Sequence, residues 1–461
     1  MARENATTPA PQSGLAPAGT EERGHPVRTD LETTSSSHSS WSRDLLFLCF
    51  AFVFVRLPFM FTVPMVEAPD EFAHYWVIRF IKEHWRLPSA TEVAAGSASA
   101  VYGSLPQLGY LPHLAVSALS SPQTLPLYER FGSLLGGLVL LYSAYHIGKE
   151  LFPNKRLLQM ALPAVLIFHP QLAFLHAYAN NDSTSSALSG VLLLLTLRSI
   201  RRGITVQRSL LVGLLLGWLA LSKYSGLAVV PAVAFGLIAA AAMERTPLPR
   251  LMAAVTACIG ACAVTCGWWF VRNVHEFAGD MLGTKTMFTS WALTFHKDLH
   301  YYEPPSHIIK SLRWWRMMFY SYWAMFGYMT KYIWRPAYLT YVGYLIASVA
   351  GLLLTVVQPG RLRSATTARS IVGWCCMALT IVANLCAMIW ASTGNLGGPQ
   401  GRYLFTSEVP IAALMLLGLY KLGGKHGSKV VFSFVVFNMA VCFGSLVMLC
   451  RLYGFHATPL Q

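Results

Sequence analysis

Eleven apolar blocks, with the basic residues gathered mostly in short loops between them, constrain this chain more than any other feature. Each block runs about 17–22 residues, the length at which a helix crosses roughly 30 Å of hydrocarbon. The blocks read as spans at 44–64, 127–149, 157–177, 184–200, 207–222, 225–242, 251–271, 336–357, 370–391, 404–421 and 429–450. Only 12% of the residues are charged and 54% are hydrophobic, against about 25% charged in a soluble domain. That shortfall excludes a water-facing surface of this size. The expected fold class is therefore all-α, a polytopic transmembrane helical bundle of about eleven spans.

The net charge of +15 is not the footprint of a nucleic-acid binder. Its sources lie in the short loops: Arg198, Arg201 and Arg202; Arg245 and Arg250; Arg361 and Arg363; Lys421, Lys425 and Lys429. This is the positive-inside pattern. It puts the N-terminus and the loops 150–156, 198–208, 243–250, 358–369 and 421–429 in the cytoplasm. Residues 1–41, rich in Ser, Thr, Pro, Gly and Glu, read as a disordered cytoplasmic tail, and 42–461 as the transmembrane domain. Four segments then face outward: 65–126, 178–183, 272–335 and 392–403. The two long ones carry aromatic, amphipathic stretches at 75–81 and 314–332, which suit helices lying at the outer membrane surface. Polar chemistry is thus expected on the extracytoplasmic side, with membrane lipids as neighbours.

Nine cysteines fall almost wholly within spans. Cys258, Cys262 and Cys266 form a stripe at helical spacing that reads as small residues packing between helices. Nucleotide-binding motifs of the GxxxxGK[ST] and GxGxxG types are absent.

Five short motifs carry candidate chemistry. Val66-Glu67-Ala68-Pro69-Asp70-Glu71-Phe72-Ala73-His74-Tyr75 follows the first span. Pro69 suits a helix first turn, Asp70 its positive end, and His74 lies one turn on. Asp70 there reads either as a helix cap or as a carboxylate that takes a proton or holds a divalent cation. Asn180-Asn181-Asp182 reads as a tight turn with a cap, or as polar groups of a site. In Gln400-Gly401-Arg402-Tyr403, Arg402 is either a snorkelling interface residue or a planar fork for phosphate, with Gly401 giving the backbone close approach. Arg272 and Asn273, after Trp268-Trp269, have the same two readings. Lys223, beside Tyr224 between two apolar blocks, is costly near membrane depth and calls for an anionic partner.

In order along residues 44–450 these pieces are Pro69-Asp70-Glu71-x-x-His74, Asn180-Asn181-Asp182, Leu221-Ser222-Lys223-Tyr224-Ser225-Gly226, Trp268-Trp269-x-x-Arg272-Asn273 with Gly279-Asp280-x-x-Gly283, and Pro399-Gln400-Gly401-Arg402-Tyr403. In this the chain resembles a family of uncharacterised bacterial membrane proteins within the GT-C glycosyltransferase superfamily. That superfamily includes protein O-mannosyltransferases, oligosaccharyltransferases and the lipid A aminoarabinose transferase. Where family members often carry a tandem proline motif with paired tyrosines, this chain has Leu105-Pro106-Gln107-Leu108-Gly109-Tyr110-Leu111-Pro112.

The resemblance implies an inverting transfer of a sugar from a polyprenyl-phosphate donor to an acceptor (glycan, lipid or protein) outside the bacterial cytoplasmic membrane. It implies catalytic roles for Asp70, Glu71 and Asp182, with Asp70 as base. His74, Asn181, Lys223, Tyr224, Arg272, Asn273, Arg402 and Tyr403 are the expected substrate-binding residues. A divalent cation, magnesium or manganese, is a candidate cofactor on Asp70 and Asp182. The alternatives are a glycan or lipid transporter or flippase, and a non-catalytic component of a polysaccharide assembly complex.

Overall fold

A computed structural model describes residues 33–121, 124–296, 298–357, 365–394 and 398–455. In chain order the elements are α1 (Thr33–Thr62), α2 (Glu71–His84), α3 (Ala90–Ala95), α4 (Leu111–Ser117), α5 (Leu125–Leu151), α6 (Arg156–Phe168), α7 (Pro170–Leu175), α8 (Asp182–Arg202), α9 (Val206–Ala220), α10 (Val230–Met243), α11 (Leu248–Glu276), α12 (Thr284–Thr294), α13 (Pro305–Lys310), α14 (Leu312–Trp323), β1 (Met325–Phe326), β2 (Lys331–Tyr332), α15 (Arg335–Val357), α16 (Ala365–Thr393), α17 (Glu408–Leu422) and α18 (Gly427–Tyr453). The compact unit Leu45–Gln461 carries the core and the site. Helix α1 begins ahead of the boundary expected at residue 42. Residues 1–32 of the expected tail, and 358–364 with Arg361 and Arg363, lie outside the described residues.

Among the described residues, nine helices are long and apolar enough to cross a membrane, and 156–168 and 206–220 are shorter apolar helices. If those two also cross, the segments after α1, between α7 and α8, after α9, between α11 and α15, and between α16 and α17 all fall on one face. That parity brings the polar motifs together. Helix α8 sits at the centre: 89% of its apolar stretch is buried, against 17% for α11, whose outer surface is free for lipid. Helix α8 packs on α5, α9 and α10, while α15 packs on α17.

The third span is not the continuous helix expected at 157–177. It breaks at His169, whose extended backbone (ψ 112°) precedes Pro170, because a residue before proline is pushed out of the helical region. His169 then caps α7, accepting from Leu172 N–H at 3.2 Å. The buried Arg56 of α1 donates to the freed Leu166 carbonyl at 2.8 Å and to that of Ile167. The end of the broken helix is thereby satisfied without water.

The expected amphipathic helices exist as α2 and α14. Helix α14 buries Trp314, Met318, Ser321 and Tyr322 and exposes Leu312 and Trp315. It stops at Trp323, however, and 325–332 form an antiparallel hairpin in place of further helix.

Candidate functional site

Asp70 lies at the start of α2 in the left-handed region, at φ 63° and ψ 6°, and its side chain makes no capping bond. A non-glycine residue held there is strained by about 1–3 kcal/mol, and such strain clusters at functional sites. The helix starts at Glu71, so Pro69 stands just before the first turn and not within it. The Asp70 Oδ2 accepts from Arg402 Nη2 in an ion pair. Arg402 is buried, with its side chain 8% exposed, while that of Asp70 is 34% exposed. One edge of the carboxylate is therefore open. Burial works to raise the Asp70 carboxyl. The Arg402 guanidinium, helped by Tyr102, outweighs it and holds the carboxyl below its ordinary value.

The second pair is Lys223 and Asp182. Lys223 Nζ donates to Asp182 Oδ1 at 2.6 Å, supplying the anionic partner its depth requires. The capping role considered for Asp182 belongs to Asn180, whose Oδ1 accepts from Ser183 N–H at 2.9 Å. Asn181 donates to the Ser222 carbonyl at 3.0 Å, fixing the 180–182 turn to the segment that holds Lys223. Tyr403 lies between the cations: Lys223 Nζ is 5.0 Å and Arg402 Cζ 5.5 Å from its ring centre.

His74 and three tyrosines wall this cluster, Tyr110 and Tyr178 buried and Tyr102 half-buried. His74 Nδ1 pairs with the Tyr110 hydroxyl at 2.6 Å, and its ring centre is 4.9 Å from that of Tyr102. Burial pushes the His74 imidazole down to about 3, against the pull of Asp70, so it is neutral at pH 7. Tyr178 receives a hydrogen bond from Arg402 Nη1 at 3.4 Å. Tyr110 belongs to the segment 105–112. That segment threads against α8 and α9, with Thr184 Oγ1 donating to the Gly109 carbonyl at 2.7 Å and Trp218 Nε1 to that of Leu108 at 2.9 Å. Gly109 is required there, since a Cβ would stand 2.9 Å from that of Asn181. Nothing in the spacing of single tyrosines marks Tyr102, Tyr110 or Tyr178 as lining; only the proximity of Tyr110 and Tyr178 to the motifs was a signal.

Three buried polar atoms of the cluster lack any protein partner: Asn181 Oδ1, Asp182 Oδ2 and Arg402 Nε. Buried polar atoms are normally satisfied. Two acceptors and one charged donor without a protein partner, in a cluster of two ion pairs, are groups able to bond hydroxyls and negative charge.

Other expected site residues go elsewhere. Glu71, one residue from Asp70, turns away into the core and takes a bidentate pair from Arg130 at 2.8 and 2.6 Å, with both side chains fully buried. Tyr224 donates to the Leu282 carbonyl at 2.9 Å. Arg272 bonds the Pro88 carbonyl and Asn273 Oδ1, and Asn273 donates to the Ser104 carbonyl at 3.3 Å. Arg272 and Asn273 clamp the segments 65–126 and 272–335 to each other, Tyr224 ties 272–335 to the stretch after α9, and none of the three joins the cluster. Gly401 permits close approach, but of the Tyr322 backbone, into which a Cβ would run.

The donor set does not fit a resident divalent cation. Asp70 and Asp182 each already face a protein cation, and among the described residues no group of three His, Cys, Asp or Glu side chains comes together as a metal centre. With His74 neutral, the four charged groups sum to zero, so a dication would enter a site with no excess negative charge.

Neither a protein-family model nor a curated protein matches this chain. Among solved structures it is similar to an Archaeoglobus fulgidus oligosaccharyltransferase crystallised with zinc and sulfate, at TM-score 0.45 and 12% identity over 90% of this chain and 53% of that one. The apo form of that protein gives TM-score 0.47 and 12% identity, over 91% and 56%. ArnT from Cupriavidus metallidurans in the apo state gives TM-score 0.38 and 14% identity, over 85% and 78%. The chain spans about half the length of the oligosaccharyltransferase.

Proposed function

We propose that the protein is an inverting membrane glycosyltransferase that transfers a sugar from a polyprenyl-phosphate donor to an acceptor on the extracytoplasmic side. The observation that carries this is the pair of ion pairs, Asp70–Arg402 and Asp182–Lys223, with buried polar atoms on Asn181, Asp182 and Arg402 that have no protein partner. A lipid phosphate leaves as an anion, and a preorganised guanidinium and ammonium stabilise the charge that develops on it. Asn181 Oδ1 and Asp182 Oδ2 accept hydrogen bonds from sugar hydroxyls. The basic loops on the opposite face support an orientation with this face outside the bacterial inner membrane.

The resting pair Asp70–Arg402 also suggests how a base of low pKa becomes effective. Donor phosphate competes for the Arg402 fork, and as Arg402 turns to it the Asp70 carboxylate loses its counter-charge and gains basicity. The acceptor oxygen then attacks the anomeric carbon, its proton passes to Asp70, and the carbon–oxygen bond to phosphate breaks with both electrons leaving on the polyprenyl phosphate. Protein cations carry the phosphate charge in this scheme, and no step uses a metal.

The break in the third span is the kind of helix interruption that transporters place around a substrate. Here Arg56 satisfies the break from within the bundle, which favours the transferase. The decisive experiment is transfer by purified protein from polyprenyl-phosphate sugars to envelope fractions, with Asp70→Asn in parallel. A positioned base is worth about 10²–10⁴-fold, so Asp70→Asn should stay folded and lose at least a hundred-fold of rate. A variant that transfers normally would sink the mechanism.

A further inference from the structure

The hairpin 325–332, the only β-structure among the described residues, is held rigidly at its base. Met325 N–H donates to Gln171 Oε1 at 2.7 Å, the Tyr338 hydroxyl donates to the Ala324 carbonyl, and Ala324, Met325 and Phe326 are buried. Thr330 N–H closes the turn on the Phe326 carbonyl at 3.2 Å. At the tip, Gly327 and Met329 both adopt left-handed backbone, at φ 61° and 60°. Glycine does this freely; methionine does it at a cost that the surroundings must offset. The result is that Tyr328 is thrust outward between them, 50% exposed.

This tip lies over the motif at the first span. A Cβ on Gly327 would stand 3.0 Å from Glu67 Oε2, three residues before Asp70, and Tyr328, the next residue of the tip, is close enough to Asp70 for the carboxylate to act on its hydroxyl. The open edge of the Asp70 carboxylate is the side from which an acceptor must bring its hydroxyl. The other tyrosines of the cluster, Tyr102, Tyr110 and Tyr178, do not share this exposure. Tyr328 combines an apolar face, suited to the carbon–hydrogen face of a sugar ring, with a hydroxyl at its end.

We propose that Tyr328, carried on the strained tip of the 325–332 hairpin, is the acceptor-positioning residue, and that the acceptor presents a hydroxylated saccharide ring to it. This rests on the transferase reading above. The donor phosphate belongs to Arg402 and Lys223, so Tyr328 should have no part in holding the polyprenyl phosphate.

The test places a photoreactive benzophenone amino acid at position 328 in living cells, and at position 85 as a control, where Trp85 is 89% exposed on the same long segment as Asp70. Irradiation should give a saccharide-bearing adduct at 328 and not at 85. In parallel, long-chain polyprenyl phosphate is titrated against purified wild type, Tyr328→Ala and Arg402→Ala, with thermal stability recorded. Tyr328→Ala should bind within about two-fold of wild type, and Arg402→Ala at least about ten-fold more weakly. Normal phosphate binding without the adduct, or with equal adducts at both positions, overturns the inference alone. Tyr328→Ala binding as weakly as Arg402→Ala makes Tyr328 a donor contact and overturns it too. Wild-type protein that does not bind polyprenyl phosphate overturns the transferase reading and this inference with it.

Discussion

Glu71→Gln should destabilise the fold where Asp70→Asn does not, although the two carboxylates are adjacent. Glu71 and Arg130 are both fully buried. Arg130 donates twice to Glu71 and once each to the Met60 and Val63 carbonyls, both at 2.7 Å. The Ala179 N–H donates to Glu71 Oε1 at 2.9 Å. The pair thus ties the end of α1, the start of α2, α5 and the turn before α8 into one node beneath the site. Glutamine keeps the size and one acceptor but leaves the guanidinium without a counter-charge in the core. Breaking a buried pair from one side costs about 3–5 kcal/mol. At about 2–4 °C per kcal/mol the midpoint should fall by roughly 6–20 °C, toward the lower end for a chain of this size. Intrinsic tryptophan fluorescence on heating, in detergent with the lipid content held fixed, measures it. Replacing both partners, as Glu71→Gln with Arg130→Met, should recover part of the loss, because an apolar side chain removes the orphaned charge. A Glu71→Gln midpoint within about 1 °C of wild type would refute the reasoning, and Glu71 would return to the list of catalytic candidates.

Further expectations follow from the same geometry. Arg402→Ala should lower affinity for polyprenyl phosphate about ten- to a hundred-fold, the worth of a charge-assisted hydrogen bond of about 1.5–3 kcal/mol, and Arg402→Lys should fall between; isothermal titration reads it, and an unchanged Arg402→Ala would move the phosphate contact to Lys223. Prolonged treatment with a chelator should leave transfer unchanged, since Asp70 and Asp182 are engaged by protein cations; a loss restored by magnesium or manganese would show the donor set read wrongly. His74 is neutral and held at about 3 in the fold, against about 6.5 unfolded. The unfolded state therefore binds the extra proton, and stability falls by about 1.4 kcal/mol for each pH unit below about 6.5 until about 3. His74→Gln should flatten this part of the pH profile of thermal stability, and an unaltered slope would mean that His74 is protonated in the fold.

The span positions were legible because hydropathy is local. A block of about 20 apolar residues is driven into hydrocarbon whatever the rest of the chain does, and each expected block coincides with an apolar helix or a run of helices. The break at His169-Pro170 was legible in principle from the proline rule, but the same apolar run masks it. The partners of the charged motifs were not legible. Asp70 meets Arg402 across 332 positions and Lys223 meets Asp182 across 41, and no local pattern specifies such pairings. The motifs Trp268-Trp269 and Gly279 to Gly283 were visible but ambiguous. Their glycine and asparagine serve contacts between segments: Gly283, at φ 70°, lies against the Ser104 carbonyl and accepts from the Ser104 hydroxyl at 2.8 Å.

The sequence by itself determined that this chain is a helical membrane protein with its polar chemistry gathered between spans, because the bilayer acts on each block separately. Only the tertiary structure decided what each polar residue does. Asp70 and Glu71 are neighbours of like charge, yet Asp70, in left-handed backbone, meets Arg402 and stays partly exposed, while Glu71, one residue on, enters the core to meet Arg130. A carboxylate's role is set by the cation and the water it reaches, and both are delivered by elements distant in the chain.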